Sequence, residues 1–195
     1  MTDAASCNGS GRARLKLLGI SGSLRAHAYS TAVLDALAAS IAHEAEVEYA
    51  DIGALPHFNQ DLHADPLPDA VTRLRGQIAA ADGVVISSPE YNHGIPGVLK
   101  NAIDWASRPH NGSPFRNKPV LIVTSSHAFT GGVRAQYQIR EALVAVLARP
   151  VATPEIVIGQ VNAKVQEGRF DDPATIAFAR EGFVAMFGEI ARQAR

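Results

Sequence analysis

A doubly wound α/β fold, built on a five-stranded parallel sheet in the order 2-1-3-4-5, is what this sequence of 195 residues predicts. Two observations lead there. Short apolar runs recur along the chain with helix-length segments between them, and several of the runs are unbroken rather than alternating. Unbroken runs suit strands buried on both faces of a parallel sheet, and strands alternating with helices assemble one through right-handed crossovers. The order 2-1-3-4-5 is a common solution for five strands, and it reverses the winding direction between strands 1 and 3.

The first run is "LKLLGIS" from Leu15. The helix after it shows Val33, Leu34, Leu37 and Ile41 on one face, the spacing of core packing. "EVEYADI" from Glu46 supplies the second strand, with a helix near 68 to 80 to follow. "GVVISS" from Gly83 is the third, and a helix near 96 to 107 succeeds it. "KPVLIVTSS" from Lys118 is the fourth, followed by a helix near 131 to 148. "TPEIVIG" from Thr153 is the fifth, and Ile176, Phe183, Phe187 and Ile190 mark the core stripe of a last helix. There is no convincing internal repeat.

With 47% hydrophobic residues, 19% charged residues and a formal net charge of -1, the chain has the balance of an ordinary soluble globular protein. Nothing in it favours nucleic acid or an anionic membrane, and no apolar run reaches the roughly 18 residues of a membrane span. Residues 1–14, "MTDAASCNGSGRAR", form a polar leader expected to be mobile, and residues 15–195 are expected to form one domain. The single cysteine, Cys7, excludes an internal disulfide framework and fits a reducing cytoplasm. The seven histidines show no spacing comparable to H-E-x-x-H, so no metal site is expected, and His93 and His127 read as rim or solvated residues.

In the predicted fold, ligands bind at the carboxyl ends of the strands, beside the point where the winding reverses. Three loops border that crevice. After the first strand, "SGSLRAHAYSTAV" offers hydroxyls at Ser21, Ser23, Ser30 and Thr31, a tight turn at Gly22, a permanent cation at Arg25 and the unpaired N–H groups of a helix N-terminus. Together these suit a phosphomonoester. The alternative is a polar loop with Ser30 as N-cap and Arg25 in water. Neither the G-x-G-x-x-G fingerprint nor a Walker A loop is present, which favours a terminal phosphate over a bridging pyrophosphate.

After the third strand, "PEYNHGIPG" brings Pro89, Glu90, Tyr91, Asn92 and Gly94 ahead of a helix that begins near Pro96. A flat heteroaromatic ligand with polar edges suits this segment; the alternative is a helix-entry loop whose Tyr91 caps the core and whose Glu90 faces water. After the fourth strand, "TSSHAFTGGVRAQYQIR" adds Thr124, Ser125 and Ser126, and the Gly131-Gly132 pair permits close backbone approach. Here the alternative is a simple turn, with Arg134, Gln136 and Gln138 on a solvated or subunit-facing helix surface.

At these three loops the chain resembles the NAD(P)H-dependent FMN reductase family, a flavodoxin-like group that includes chromate, quinone and azo-dye reductases and the arsenic-resistance flavoproteins. The resemblance runs from about Leu15 to Leu147. It rests on P-E-Y-N followed by "GIPGVLKNAIDW", on the "GG.RAQYQ.R" pattern and on "GSLR". It implies a flavodoxin-like three-layer sandwich holding FMN non-covalently, with NADPH or NADH as donor. Carried onto matching positions, it makes Ser23, Arg25 and Ser30 phosphate contacts, Pro89, Glu90, Tyr91 and Asn92 ring contacts, and Ser125 and Ser126 pocket closers. Ala28 stands where relatives often have serine, which removes one hydroxyl worth about 1 kcal/mol net. His127, Ala128 and Phe129 add bulk where many relatives are glycine-rich, which bears on substrate range and nicotinamide access.

The function implied is an FMN-dependent NAD(P)H oxidoreductase with ping-pong kinetics, reducing a small acceptor such as a quinone, an azo dye, a metal oxyanion or a flavin. Because the cofactor carries the electrons, no catalytic nucleophile or general base is expected from the protein. Backbone N–H groups of the 89 to 94 and 124 to 132 loops are the candidate donors to the flavin. A flavodoxin-like electron carrier docking to a protein partner is the alternative, and a phosphate-ligand sensor without redox activity is a third. The resemblance also implies a homodimer or homotetramer, with the helix carrying Trp105 and the "RAQYQIR" helix as candidate surfaces.

Overall fold

The computed structural model describes residues 14–63 and 66–193, so the expectations for Cys7 and for all but the last residue of the leader lie outside the described residues. Its sheet runs in the order β2-β1-β3-β4-β5, with every pairing parallel, from β1 (Leu15–Ser21), β2 (Ala45–Tyr49), β3 (Gly83–Pro89), β4 (Pro119–Ser125) and β5 (Arg149–Pro150). The fifth position differs from expectation. It is shared by β5 and by β6 (Ile156–Ile158), both pairing with β4, because the chain leaves the sheet between them and returns farther along the same edge.

The apolar runs alternate in destination even though they do not alternate in polarity. Leu18 and Ile20 of β1, Val84 and Ile86 of β3, and Val120 and Ile122 of β4 face one side of the sheet. There they meet α2 (Asp69–Ala80), α3 (Gly97–Ala106) and α4 (Val133–Ala145). Leu17, Val85, Leu121 and Val123 face the other side, against α1 (Tyr29–Ser40) and α5 (Pro173–Gln193). Strand side chains project alternately, so a sheet covered twice needs hydrophobes at every position. The reversal of winding after β2 puts α2, α3 and α4 on the face opposite α1.

The stripe Val33, Leu34, Leu37 and Ile41 is buried as expected, as are Phe183 and Ile190, while Ile176 and Phe187 pack at the margin of the same core. Trp105, on the helix expected to supply a subunit surface, itself points into the core. It is fully buried against Phe58 at 5.1 Å between ring centroids, and its indole N–H donates to Pro56 O at 2.7 Å. Among the described residues no helix is long and apolar enough to cross a membrane.

Register fixes where the loops begin. Ser21 lies beside Ser87, Ser88 beside Thr124 and Pro89 beside Ser125, so β1, β3 and β4 end at one edge of the sheet. Three loops are therefore delivered to one place by strand pairing alone.

Candidate functional site

A cavity of about 330 Å³ opens at that edge, within the size range of roughly 300–1,000 Å³ usual for small-molecule sites. Its wall joins all three loops: Ser23, Arg25 and Ser30 from the first, Pro89, Glu90 and Tyr91 from the second, and Ser125 and Ser126 from the third.

The first loop is pulled tight against β3. Gly22 N–H donates to Ser87 O at 2.8 Å, and a Cβ on Gly22 would sit 2.4 Å from Ser88 Oγ and 3.1 Å from Ser88 Cα. Only glycine permits that approach. The α1 N-cap is Ala28 rather than Ser30, in extended conformation and with no side-chain cap. Ser30 instead sits inside the first turn, buried. Its hydroxyl lies 3.0 Å from that of Ser21, which is also 2.9 Å from Thr31 Oγ1. Ser21 and Thr31 are thus placed behind the cavity wall, where their hydroxyls hold the loop to the helix. Arg25 stays at the cavity, its Nη2 donating to His27 O and its Cζ lying 4.9 Å from the centre of the Tyr29 ring. A cation and a helix N-terminus without its own side-chain cap share this part of the cavity, a combination that attracts anions.

The second loop differs from both of its sequence readings in one respect. Tyr91 does not cap the core: half its surface is exposed, and its hydroxyl lies 3.2 Å from Ser23 Oγ, joining the second loop to the first. Asn92 and His93 both take positive φ, and Tyr91 and Gly94 exchange two 3.0 Å backbone hydrogen bonds around them. That is a tight hairpin turn, which commits the N–H groups of Tyr91 and Gly94; Tyr91 is part of the cavity wall, and Asn92 and Gly94 are not among its lining residues. Glu90 does not face water. Its side chain is only 8% exposed, and its Oε2 accepts from the N–H groups of Arg134 and Ala135 at 2.9 and 3.1 Å.

The third loop lies on the backbone of β6 and its continuation. Ser126 N–H donates to Ile158 O, Gln160 N–H to Ala128 O and Val161 N–H to Ser126 O. Gly131 and Gly132 have φ of +64° and +84°, and a Cβ on Gly131 would come within 2.8 Å of Ile158 N. The close approach expected of this glycine pair is therefore to the protein's own edge strand. Of the α4 residues read as a surface, Arg134 and Gln138 are exposed and Gln136 is not. Gln136 is buried, and Gln138 accepts from Ile95 N–H and donates to His93 O, gripping the second loop.

Ala28, Tyr29 and Val161 of the wall were outside the expected set, and His127, read as a rim or solvated residue, lies on the wall. Tyr29 and His127 meet edge to face at 5.1 Å within the wall. Tyr29 sits inside the phosphate-loop segment and His127 in the third loop, so both were visible as neighbours of site residues. Nothing in the sequence marks Val161, which arrives through the β6 pairing.

An anionic group beside Arg25 and a planar, polar-edged ring beside Tyr91 fit this wall. Ser125 Oγ supports the fit: it is buried with no protein partner, so a ligand atom at the wall would satisfy it.

The family model described as NADPH-dependent FMN reductase matches residues 15–163. An NAD(P)H-dependent FMN reductase of Pseudomonas aeruginosa is 44% identical over 162 residues, covering 82% of this chain and 87% of that protein. A quinone reductase of Escherichia coli is 37% identical over 186 residues, covering 93% and 98%. Among solved structures, the flavoenzyme NAD(P)H:acceptor oxidoreductase FerB of Paracoccus denitrificans superposes with a TM-score of 0.80 at 31% identity, over 91% of this chain and 98% of that one.

Proposed function

The chain belongs to the NADPH-dependent FMN reductase family and is an FMN-dependent NAD(P)H oxidoreductase, and we propose that the cavity at the ends of β1, β3 and β4 holds its FMN. The observation that carries this placement is the convergence of all three loops on one wall, which joins Arg25 and the α1 N-terminus to Tyr91 and Ser125. Ser23, Arg25 and Ser30 hold the phosphate there. Pro89, Tyr91, Ser125 and Ser126 flank the ring, while Tyr29 and His127 pack together within the wall. Ser21 and Thr31 act one step back, by fixing Ser30.

When bound, FMN supplies the redox chemistry, taking a hydride from the nicotinamide and passing electrons on to the acceptor. The protein's part is to orient and enclose. Arg25 neutralises the phosphate, the exposed Tyr91 ring sits at the opening, and Ser125 hydroxyl gives the ring edge a hydrogen-bond partner. Donor and acceptor use the same open face in turn, which makes the kinetics ping-pong.

The acceptor is a small molecule of the quinone class, in line with the quinone reductases this chain resembles. The working unit is a cytoplasmic homo-oligomer of the 15–195 domain; the lone cysteine fits a reducing compartment, and Tyr137 and Val144 stand exposed on α4. Anaerobic titration of the FMN-loaded protein with NADPH, and in parallel with NADH, tests the reading. Bleaching of the flavin absorption, restored by a quinone, is the expected result. A protein that keeps FMN but is bleached by neither donor is an electron carrier, and one that does not retain FMN overturns the placement.

A further inference from the structure

Glu90, expected as a ring contact, lines the cavity, and its carboxylate is also engaged by α4. It lies at the start of α4, accepting from two N–H groups of the helix's first turn, and its Oε1 is 3.7 Å from the guanidinium of Arg134. The α4 N-cap is Gly132, at φ +84° and with no side chain of its own to cap the helix. A Cβ there would come within 3.4 Å of Glu90 Cβ and 3.2 Å of Thr124 Cβ, so the helix end rests directly on the ends of β3 and β4. The positive end of a four-turn helix is therefore brought to the cavity edge, and a nearly buried carboxylate meets it there.

We propose that Glu90 is a positioning residue that cancels the positive end of α4 beside the cofactor cavity, and that it thereby holds down the reduction potential of the FMN. The proposal rests on the placement of FMN in this cavity. A cofactor that takes up electrons is stabilised by positive potential and opposed by negative potential. Glu90 lines the cavity while its carboxylate is bonded to the helix end, so the ring faces a neutralised dipole instead of a bare one. Gln138 completes the arrangement from the helix side, gripping the backbone at His93 and Ile95. The loop and the helix thus move as one piece, and the charge balance at the ring keeps a fixed geometry.

The test is the midpoint potential of bound FMN, measured by reductive titration against a reference dye, in wild type, Glu90→Gln, Glu90→Asp and Arg134→Gln. Glu90→Gln removes the negative charge and keeps an acceptor, so the midpoint moves upward while affinity for oxidised FMN stays within about threefold, since the amide preserves a hydrogen bond at the helix end. Glu90→Asp keeps the charge and stays near wild type. Arg134→Gln, at a half-exposed side chain that leaves folding untouched, removes the opposing cation and moves the midpoint downward. Opposite shifts in the two glutamine variants establish the proposal. An unmoved midpoint in both, or an unmoved midpoint with FMN affinity lost in Glu90→Gln, overturns it and returns Glu90 to the ring. Failure of the wild-type protein to bind FMN is a different result, which removes the cofactor placement itself.

Discussion

At the first turn of α1 a single methyl group stands where a hydroxyl would serve two purposes. Ala28 has φ −70° and ψ 134°, the extended geometry of an N-cap, and lines the cavity; its carbonyl accepts from the N–H groups of Thr31 and Ala32, but it has no side-chain acceptor to offer the helix end. Ala28→Ser is expected to raise stability by about 1 kcal/mol in urea titration, the ordinary worth of a serine cap. An unchanged midpoint would show that the N–H groups are already satisfied by other means. The sequence makes Ala28 visible as a departure from the family pattern, because its neighbours carry the motif. Glu90 was visible in the same way, yet its role was not, because the partners of its carboxylate lie 44 and 45 residues farther on. A motif identifies a position; which way its side chain turns depends on what folds beside it.

The helices of this protein are largely finished by other elements. Arg180 of α5 donates to Ser40 O at the end of α1, and Lys118 donates to Ala79 O and Ala81 O at the end of α2. Arg75 of α2 reaches the end of α3, where its guanidinium donates to Trp105 O, Ala106 O and Arg108 O, and also to Gly112 O. None of α1, α2 and α3 has a basic residue in its own last turn, so sequence rules for helix ends find nothing to read there. Arg75→Ala leaves those carbonyls without their donor and is expected to cost about 1–3 kcal/mol in denaturant unfolding. A loss below about 0.5 kcal/mol would mean that water replaces the guanidinium at no penalty.

The short hairpin of β7 (Val165–Gln166) and β8 (Arg169–Phe170) is tied to α5 by Asp172, which accepts from Thr175 Oγ1 at 2.8 Å and pairs with Lys164. The hydrogen bonds from Lys164 and Thr175 hold the Asp172 carboxyl down at about 2, below its ordinary 3.8. Because the folded value is the lower one, this stability is complete above about pH 4 and disappears as pH falls through 2. Asp172→Asn should therefore melt below wild type at pH 6, with the gap closing between pH 4 and pH 2. A gap that does not change with pH would show that the ion pair carries none of it.

Across the whole molecule, the sheet buries both its faces, while several large apolar side chains stay outside. Phe129 is 85% exposed, and Tyr137 and Val144, seven residues apart on one face of α4, are each 58% exposed. If the working unit is an oligomer joined through that face, replacing both Tyr137 and Val144 by Asp lowers the mass measured by light scattering to that of a monomer and leaves helix content unchanged. A mass equal to that of wild type would remove α4 from the interface. The substitutions spare the core, because both side chains point outward.

The sequence by itself determined the sheet, its order and the three loops at its edge, since burial on both faces writes itself as unbroken apolar runs and the close backbone approaches at Gly22 and Gly131 write themselves as glycines. It also carried the family, through short motifs confined to those loops. Only the tertiary structure decided that Trp105 faces inward, that the fifth strand position is shared by two segments, and that Glu90 serves a helix. Each of these turns on a partner distant in sequence. Hydrophobic burial is a property that one residue type announces, whereas a hydrogen bond needs two groups brought together, and only the folded chain chooses the second.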